Sequence, residues 1–132
     1  MRYTTIRRGK MGETIVENYL LKMNAKCYRP CVDDFGIDFL VEQDGEYIKI
    51  QVKNHQGTNK WGSSVIVNTK PCDADYIAFP IERYGRPTIL WIKNQKNRKW
   101  AMNFMISKGG NNQRIGRNDY RDYLSSPIKE RK

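Results

Sequence analysis

Residues 36–53 read GIDFLVEQDGEYIKIQVK, and the Asp44-Gly45 pair at their centre constrains the fold more than any other feature of the chain. A two-residue type I′ hairpin turn needs positive φ at both central positions, which suits Asp-Gly and few other pairs. With Gln43 opposite Glu46, counting outward sets Leu40 against Lys49, Phe39 against Ile50, Asp38 against Gln51 and Ile37 against Val52. Side chains alternate between faces, so Ile37, Phe39 and Val41 join Ile48, Ile50 and Val52 on one apolar face. Asp38, Gln51 and, diagonally, Lys53 fall on the other, where strand geometry gathers an acid, an amide and an ammonium. Leu40 interrupts that polar face, a sign that part of it is covered.

Around this hairpin the pattern predicts an α/β domain with a mixed central sheet. Ile15, Val16, Tyr19, Leu20 and Met23 recur at helical spacing, giving an amphipathic helix from about Arg8 to Met23 with Asn24 as its stop. Glu13 lies three and seven residues before Val16 and Leu20 and so shares the apolar stripe, where a carboxylate needs a partner or a metal. The run around CYRPCVDDFG reads as a connection, and NHQGTNKWGSS as a loop too long for a simple turn. Strands are expected at 65–68, 75–81 and 88–93, and also at 99–106, where KWAMNFMI is ambiguous between strand and helix. From Ser107 the chain turns polar, with seven Lys or Arg against three Asp or Glu and a short helix capped at Asn118. A single domain over 1–132 is expected, with a core at 8–106 and a basic extension at 107–132.

Charge narrows the partners. Against 14 Asp and Glu stand 24 Lys and Arg, a formal net charge of +10 in 132 residues. A field of that sign draws polyanions, nucleic acid first and an anionic membrane second; the amphipathic basic helix that membrane-surface binding normally uses is missing. No window reaches the roughly 18 consecutive apolar residues of a membrane span, and MRYTTIRRGKMGE lacks the apolar region of a signal peptide, which predicts a cytoplasmic protein. The odd count of cysteines, Cys27, Cys31 and Cys72, agrees with a reducing compartment. With His55 these thiols number four conceivable zinc ligands, but structural zinc sites usually show two tight ligand pairs and here there is one. Thiols acting as small hydrophobes are the preferred account.

Two carboxylates with an amide or backbone oxygen are hard ligands of the kind Mg²⁺ takes, with Mn²⁺ as a substitute. Glu13, Asp38, Gln51 and the Val52 backbone oxygen are the candidates. A metal held there polarises a phosphodiester and activates a water, while Lys53 holds the scissile phosphate.

The Gly12-Glu13 pair in the helix, GID at 36–38 and IQVK at 50–53 resemble the PD-(D/E)xK nucleases, over about residues 8–55. The resemblance implies a restriction-endonuclease-like αβββαβ core and a metal-dependent DNA endonuclease. It makes Asp38 the main metal ligand, Glu13 a second acidic ligand and Lys53 the motif lysine. Gln51 stands where the family more often has Glu or Asp, and Ile37 where it has its signature proline. The glutamine version is most similar to the branch with intron-encoded homing endonucleases, related in core fold to archaeal Holliday junction resolvases. A site-specific homing enzyme, a junction resolvase, and an inactive nucleic-acid-binding module in which Gln51 marks lost metal binding are the readings this leaves open.

The expected DNA-binding surface combines Arg7, Arg8 and Lys10, His55 and Lys60 of the long loop beside Trp61, and Arg114 and Arg117 of the extension. Gln56, Asn59 and Gln113 are types able to read base edges. One small domain carries one active site, so cutting both strands calls for a homodimer or homotetramer.

Overall fold

The computed structural model describes residues 4–32, 35–53, 64–83, 86–96, 99, 102–107 and 118–132. Helix α1 runs Thr5–Lys22 and begins before the apolar periodicity does, because Thr4 caps it: the Thr4 Oγ1 accepts the Arg7 N–H at 3.2 Å. It stops where expected, with Asn24 at φ 55° and the Ala25 N–H closing on the Leu20 carbonyl at 3.0 Å. The hairpin forms as predicted from β2 (Phe39–Gln43) and β3 (Glu46–Val52), with φ of 54° at Asp44 and 78° at Gly45. A short strand β1, Lys26–Tyr28, pairs with β2 inside the run read as a plain connection. Strands β4 (Ser64–Thr69), β5 (Tyr76–Arg83), β6 (Arg86–Lys93) and β7 (Met102–Ser107) follow, the last resolving the ambiguous 99–106 run as strand. Asn118 does not cap a helix: it opens the two-residue strand β8, Asn118–Asp119, and only a single 3-10 turn follows at Tyr120–Tyr123.

The main sheet has the order β1-β2-β3-β5-β6 and is mixed, with β3 and β5 parallel and the other pairs antiparallel. Between β3 and β5 the chain contributes β4 to a second sheet, ordered β4-β7-β8. The second helix of the αβββαβ arrangement has no counterpart among the described residues; Val65, Ile66 and Val67, all β-branched, favour the strand found there. None of the described helices is long and apolar enough to cross a membrane.

Both faces of the main sheet are covered. On one, Val16 and Leu20 of α1 pack against Phe39, Val41, Ile50, Ala78 and Trp91, with the Tyr19 ring 5.5 Å from that of Trp91. On the other, Ile77, Phe79, Ile81, Leu90 and Ile92 are packed by Tyr123 and Leu124 from the 3-10 turn and the residue after it. Cys27 is part of the α1-side packing, consistent with a thiol used as a small hydrophobe.

From Tyr120 onward the segment expected to form a basic extension is built into the fold. Ile128 is buried with the α1-side core. Around it, Gln43 donates to the Pro127 carbonyl at 3.1 Å and accepts the Lys129 N–H at 2.8 Å, while Arg131 exchanges hydrogen bonds with Asn24 and gives its N–H to the Met23 carbonyl. The chain end thus straps the hairpin turn to the end of α1. Full burial of an Ile side chain is worth about 1.5–3 kcal/mol. Ile128→Ala should therefore lower unfolding stability by about 2–4 kcal/mol in urea titrations. Lys129→Met, which deletes only the exposed ion pair with Asp44, should leave the midpoint unchanged.

Candidate active site

β3 is paired along both edges, and its alternation separates two environments. Ile48, Ile50 and Val52 belong to the α1 side, whereas Gln51 stands beside Ile77 on the opposite face. The ladder to β2 ends at Phe39 opposite Ile50, one pair short of the predicted Asp38–Gln51 pairing. Asp38 continues it by other means: its N–H donates to the Ile50 carbonyl at 2.8 Å, and its carboxylate accepts the Val52 N–H at 2.7 Å. The side chain takes over a backbone role because the chain turns away at Gly36, whose φ is 69°. Asp38 is thereby fixed against β3 between the attachment points of Gln51 and Lys53. On the far edge the Lys53 N–H donates to the Ala78 carbonyl at 2.9 Å, carrying the parallel pairing one residue past the strand.

Asp75 clamps that far edge in the same way. Its N–H donates to the Lys49 carbonyl and its carboxylate accepts the Lys49 N–H, both at 2.8 Å, and Lys96 pairs with its second oxygen. Partial burial pushes this carboxyl upward, but the Lys96 ammonium and the Lys49 N–H outweigh it and hold the group below the ordinary aspartate value.

The segment leading into β5 closes the site. An open depression of about 350 Å³ is lined by Phe35, Gly36, Gln51, Lys53, Lys70, Pro71, Cys72 and Asp73. The Cys72 thiol donates to the Gln51 Oε1 at 3.3 Å. Buried Asn94, just past β6, donates its side-chain amide to the carbonyls of Cys72 at 3.0 Å and Ala74 at 2.7 Å, and its N–H to that of Asp75. Gly36 is required twice over: besides its positive φ, a Cβ there would come 2.8 Å from the Cys72 Cβ and 3.0 Å from the Gln51 Nε2.

Of the residues predicted from sequence, Gln51 and Lys53 share the depression, and Asp38 is bonded to the backbone of Val52 between them. Glu13 is not gathered with them by any hydrogen bond among the described residues. It is half-buried and flanks the stripe of Gly12, Val16 and Leu20, on a helix that packs against the other face of the sheet from Gln51. Arg7 and Lys10 are exposed near the start of α1 and Arg8 is half-buried there. His55, Lys60, Arg114 and Arg117 lie outside the described residues, as do Gln56, Asn59, Trp61 and Gln113. Among the described residues no three His, Cys, Asp or Glu side chains converge as a metal cage. Asp38, Gln51 and the Val52 backbone bring oxygen-bearing groups to the end of β3, of the hard donor type that Mg²⁺ takes. Lys70, Cys72, Asp73 and Asn94 were not anticipated. They reach the site through the parallel β3–β5 register, for which PCDADY offers no local signal beyond two acids before an apolar strand.

No protein-family model matches the chain, and no curated protein matches it. The solved structure of a bacterial homing endonuclease, I-Ssp6803I, is similar with a TM-score of 0.64, covering 92% of this chain and 87% of that one at 17% sequence identity. At that similarity the two share an overall fold, which in this chain is α/β with a mixed five-stranded sheet.

Two outcomes test this geometry. A carboxyl whose folded pKa lies below its unfolded value stabilises the protein above the unfolded pKa and loses that contribution as pH falls through the folded one. Asp75→Asn should therefore cost about 1 kcal/mol at neutral pH, with the gap to wild type closing below about pH 4 in urea midpoints taken across that range. Gly36→Ala should cost about 1–2 kcal/mol in the same measurement, from its left-handed backbone alone.

Proposed function

We propose that this chain is a metal-dependent DNA endonuclease of the site-specific homing type, acting as a symmetric oligomer. The observation that carries the reading is Asp38, held by the Val52 N–H between Gln51 and Lys53 at the end of β3. Support comes from a fold shared with a bacterial homing endonuclease and a net charge of +10 suited to a polyanion.

In this reading Asp38, Gln51 and the Val52 backbone oxygen would hold Mg²⁺, and Glu13, on the helix across the sheet from Gln51, stays outside that set. When bound, the ion polarises the phosphodiester and lowers the pKa of a water. The chain's own contribution is preorganisation. The Val52 N–H fixes the Asp38 rotamer, and the Cys72 thiol orients the Gln51 amide. Lys53, anchored through its N–H to Ala78, sets an ammonium beside the position of the phosphate and stabilises charge that develops during in-line attack. Arg7, Arg8 and Lys10 on α1, with His55, Lys60, Arg114 and Arg117, supply salt-sensitive phosphate contacts.

One observation favours a second reading. Asp38 and Asp75 perform the same backbone clamp on opposite edges of β3, so Asp38 also suits a purely structural role in a non-catalytic DNA-binding module.

Asp38→Asn separates the two, because the amide oxygen still accepts the Val52 N–H while the charge is gone. Cleavage of a target-containing plasmid library in Mg²⁺ or Mn²⁺ should fall at least about 10²-fold in Asp38→Asn and Lys53→Ala and vanish in EDTA. DNA binding by fluorescence anisotropy should be retained in Asp38→Asn, with a loss of stability in urea of no more than about 1 kcal/mol, that of a weakened hydrogen bond. No cleavage by the wild-type chain with either metal would leave the binding module standing. Preferential cutting of a four-way junction over duplex would replace the homing assignment with a structure-selective one.

A further inference from the structure

The depression beside Gln51 and Lys53 has the composition of a site for one nucleotide out of its stack. We propose that it is a subsite in which the ring of Phe35 stacks on an unpaired base while Lys70 holds that nucleotide's phosphate. The proposal rests on reading the site as a nucleic-acid site and names its substrate class: DNA with an unpaired or easily unstacked nucleotide beside the scissile bond.

Phe35 is 65% exposed, whereas Phe39 and Phe79 are 1% and 4% exposed. A single exposed aromatic is unremarkable by itself. Its surroundings give it meaning: its backbone is tied down on the C-terminal side, and it lines a depression together with two lysines. The Phe35 carbonyl accepts the Asp73 N–H at 3.4 Å. The next residue, Gly36, turns through positive φ hard against Cys72 and Gln51. Phe35 lines the depression together with Pro71, Lys53 and Lys70. Lys53 and Lys70 bring two ammonium groups to the lining beside the carboxylate of Asp73, and ammonium groups attract a phosphate.

At about 350 Å³ this open depression lies at the small end of ligand sites, which run from about 300 to 1,000 Å³, a volume on the scale of one nucleotide. Stacking on an aromatic ring contributes about 1–3 kcal/mol per base whichever base it is, so Phe35 adds affinity without reading sequence. Extruding a nucleotide is least costly where it is mismatched, damaged or already single-stranded. The subsite therefore favours local duplex opening next to the cut.

The test uses the full chain in EDTA, so that binding is read without cleavage, on short single strands and on matched strands carrying abasic sugars, at about 0.15 M ionic strength. Wild type should prefer the base-bearing strand by about tenfold. Phe35→Ala should abolish that preference with abasic binding unchanged, and Phe35→Trp should retain it. Lys70→Ala should weaken both strands alike and lower the salt slope by about one. Wild-type urea midpoints in these variants confirm folding. An equal base preference in wild type and Phe35→Ala, or a loss shared equally by both strands, would overturn the subsite. A Phe35-dependent preference in a chain that cuts nothing would instead sink the endonuclease reading and leave the subsite intact.

Discussion

Two aspartates grip β3 from opposite edges, and the remaining architecture is organised around that grip. Each sits one residue before a neighbouring strand, donates its N–H to a β3 carbonyl and accepts a β3 N–H with its carboxylate: Asp38 for β2, Asp75 for β5. A charged acceptor forms a shorter and stronger hydrogen bond than a neutral carbonyl. The clamps therefore hold β3 where ordinary ladder pairing to its neighbours ends. Side chains alternate with period two, so a slip of one residue would carry Ile50 to the site and Gln51 to the core. The Asp44-Gly45 turn, the apolar face under α1 and the two clamps all specify the same register.

The site inherits rigidity from the interior. Asn94, buried just beyond β6, uses its amide to pin the Cys72 and Ala74 carbonyls, and Cys72 in turn bonds Gln51. Functional groups carried on strands and braced by hydrogen bonds of this kind are placed more accurately than groups on loops. The contrast lies in Phe35 and Lys70, which sit on connecting segments, though Gly36 next to the one and Cys72 two residues past the other lie against Gln51.

The hairpin was legible because its signals are local: a turn pair with one demanding backbone conformation and an alternation that needs no partner to be recognised. The helix was legible for the same reason, apart from its start, which a polar cap at Thr4 sets rather than an apolar residue. Glu13 was harder to place. It shares the helical spacing of Val16 and Leu20, but the buried line runs through Gly12, Val16 and Leu20, leaving Glu13 at its flank. β1 was hidden by its length of three residues, and its pairing to β2 depends on a neighbour far along the chain. Ile128 was hidden by isolation, a lone apolar residue among charges whose burial only the assembled core dictates. The Cys72–Asn94 bracing arises from parallel pairing across a crossover, which leaves no short-range imprint.

The strap formed by the last residues bears on how the protein comes into being. Asn24 and Arg131 are bonded across 107 positions of sequence. At the usual pace of about 5–20 residues per second, the ribosome makes Arg131 roughly 5–20 s after Asn24. For that interval the nascent helix and hairpin lack Ile128 as their cover, and their apolar groove stands open to chaperones and to other growing chains. Contacts of such separation also slow the final closure, since the chain entropy of the loop is lost before the contact repays it. Closure of the α1-side core by Ile128 thus waits until the strap segment has been made.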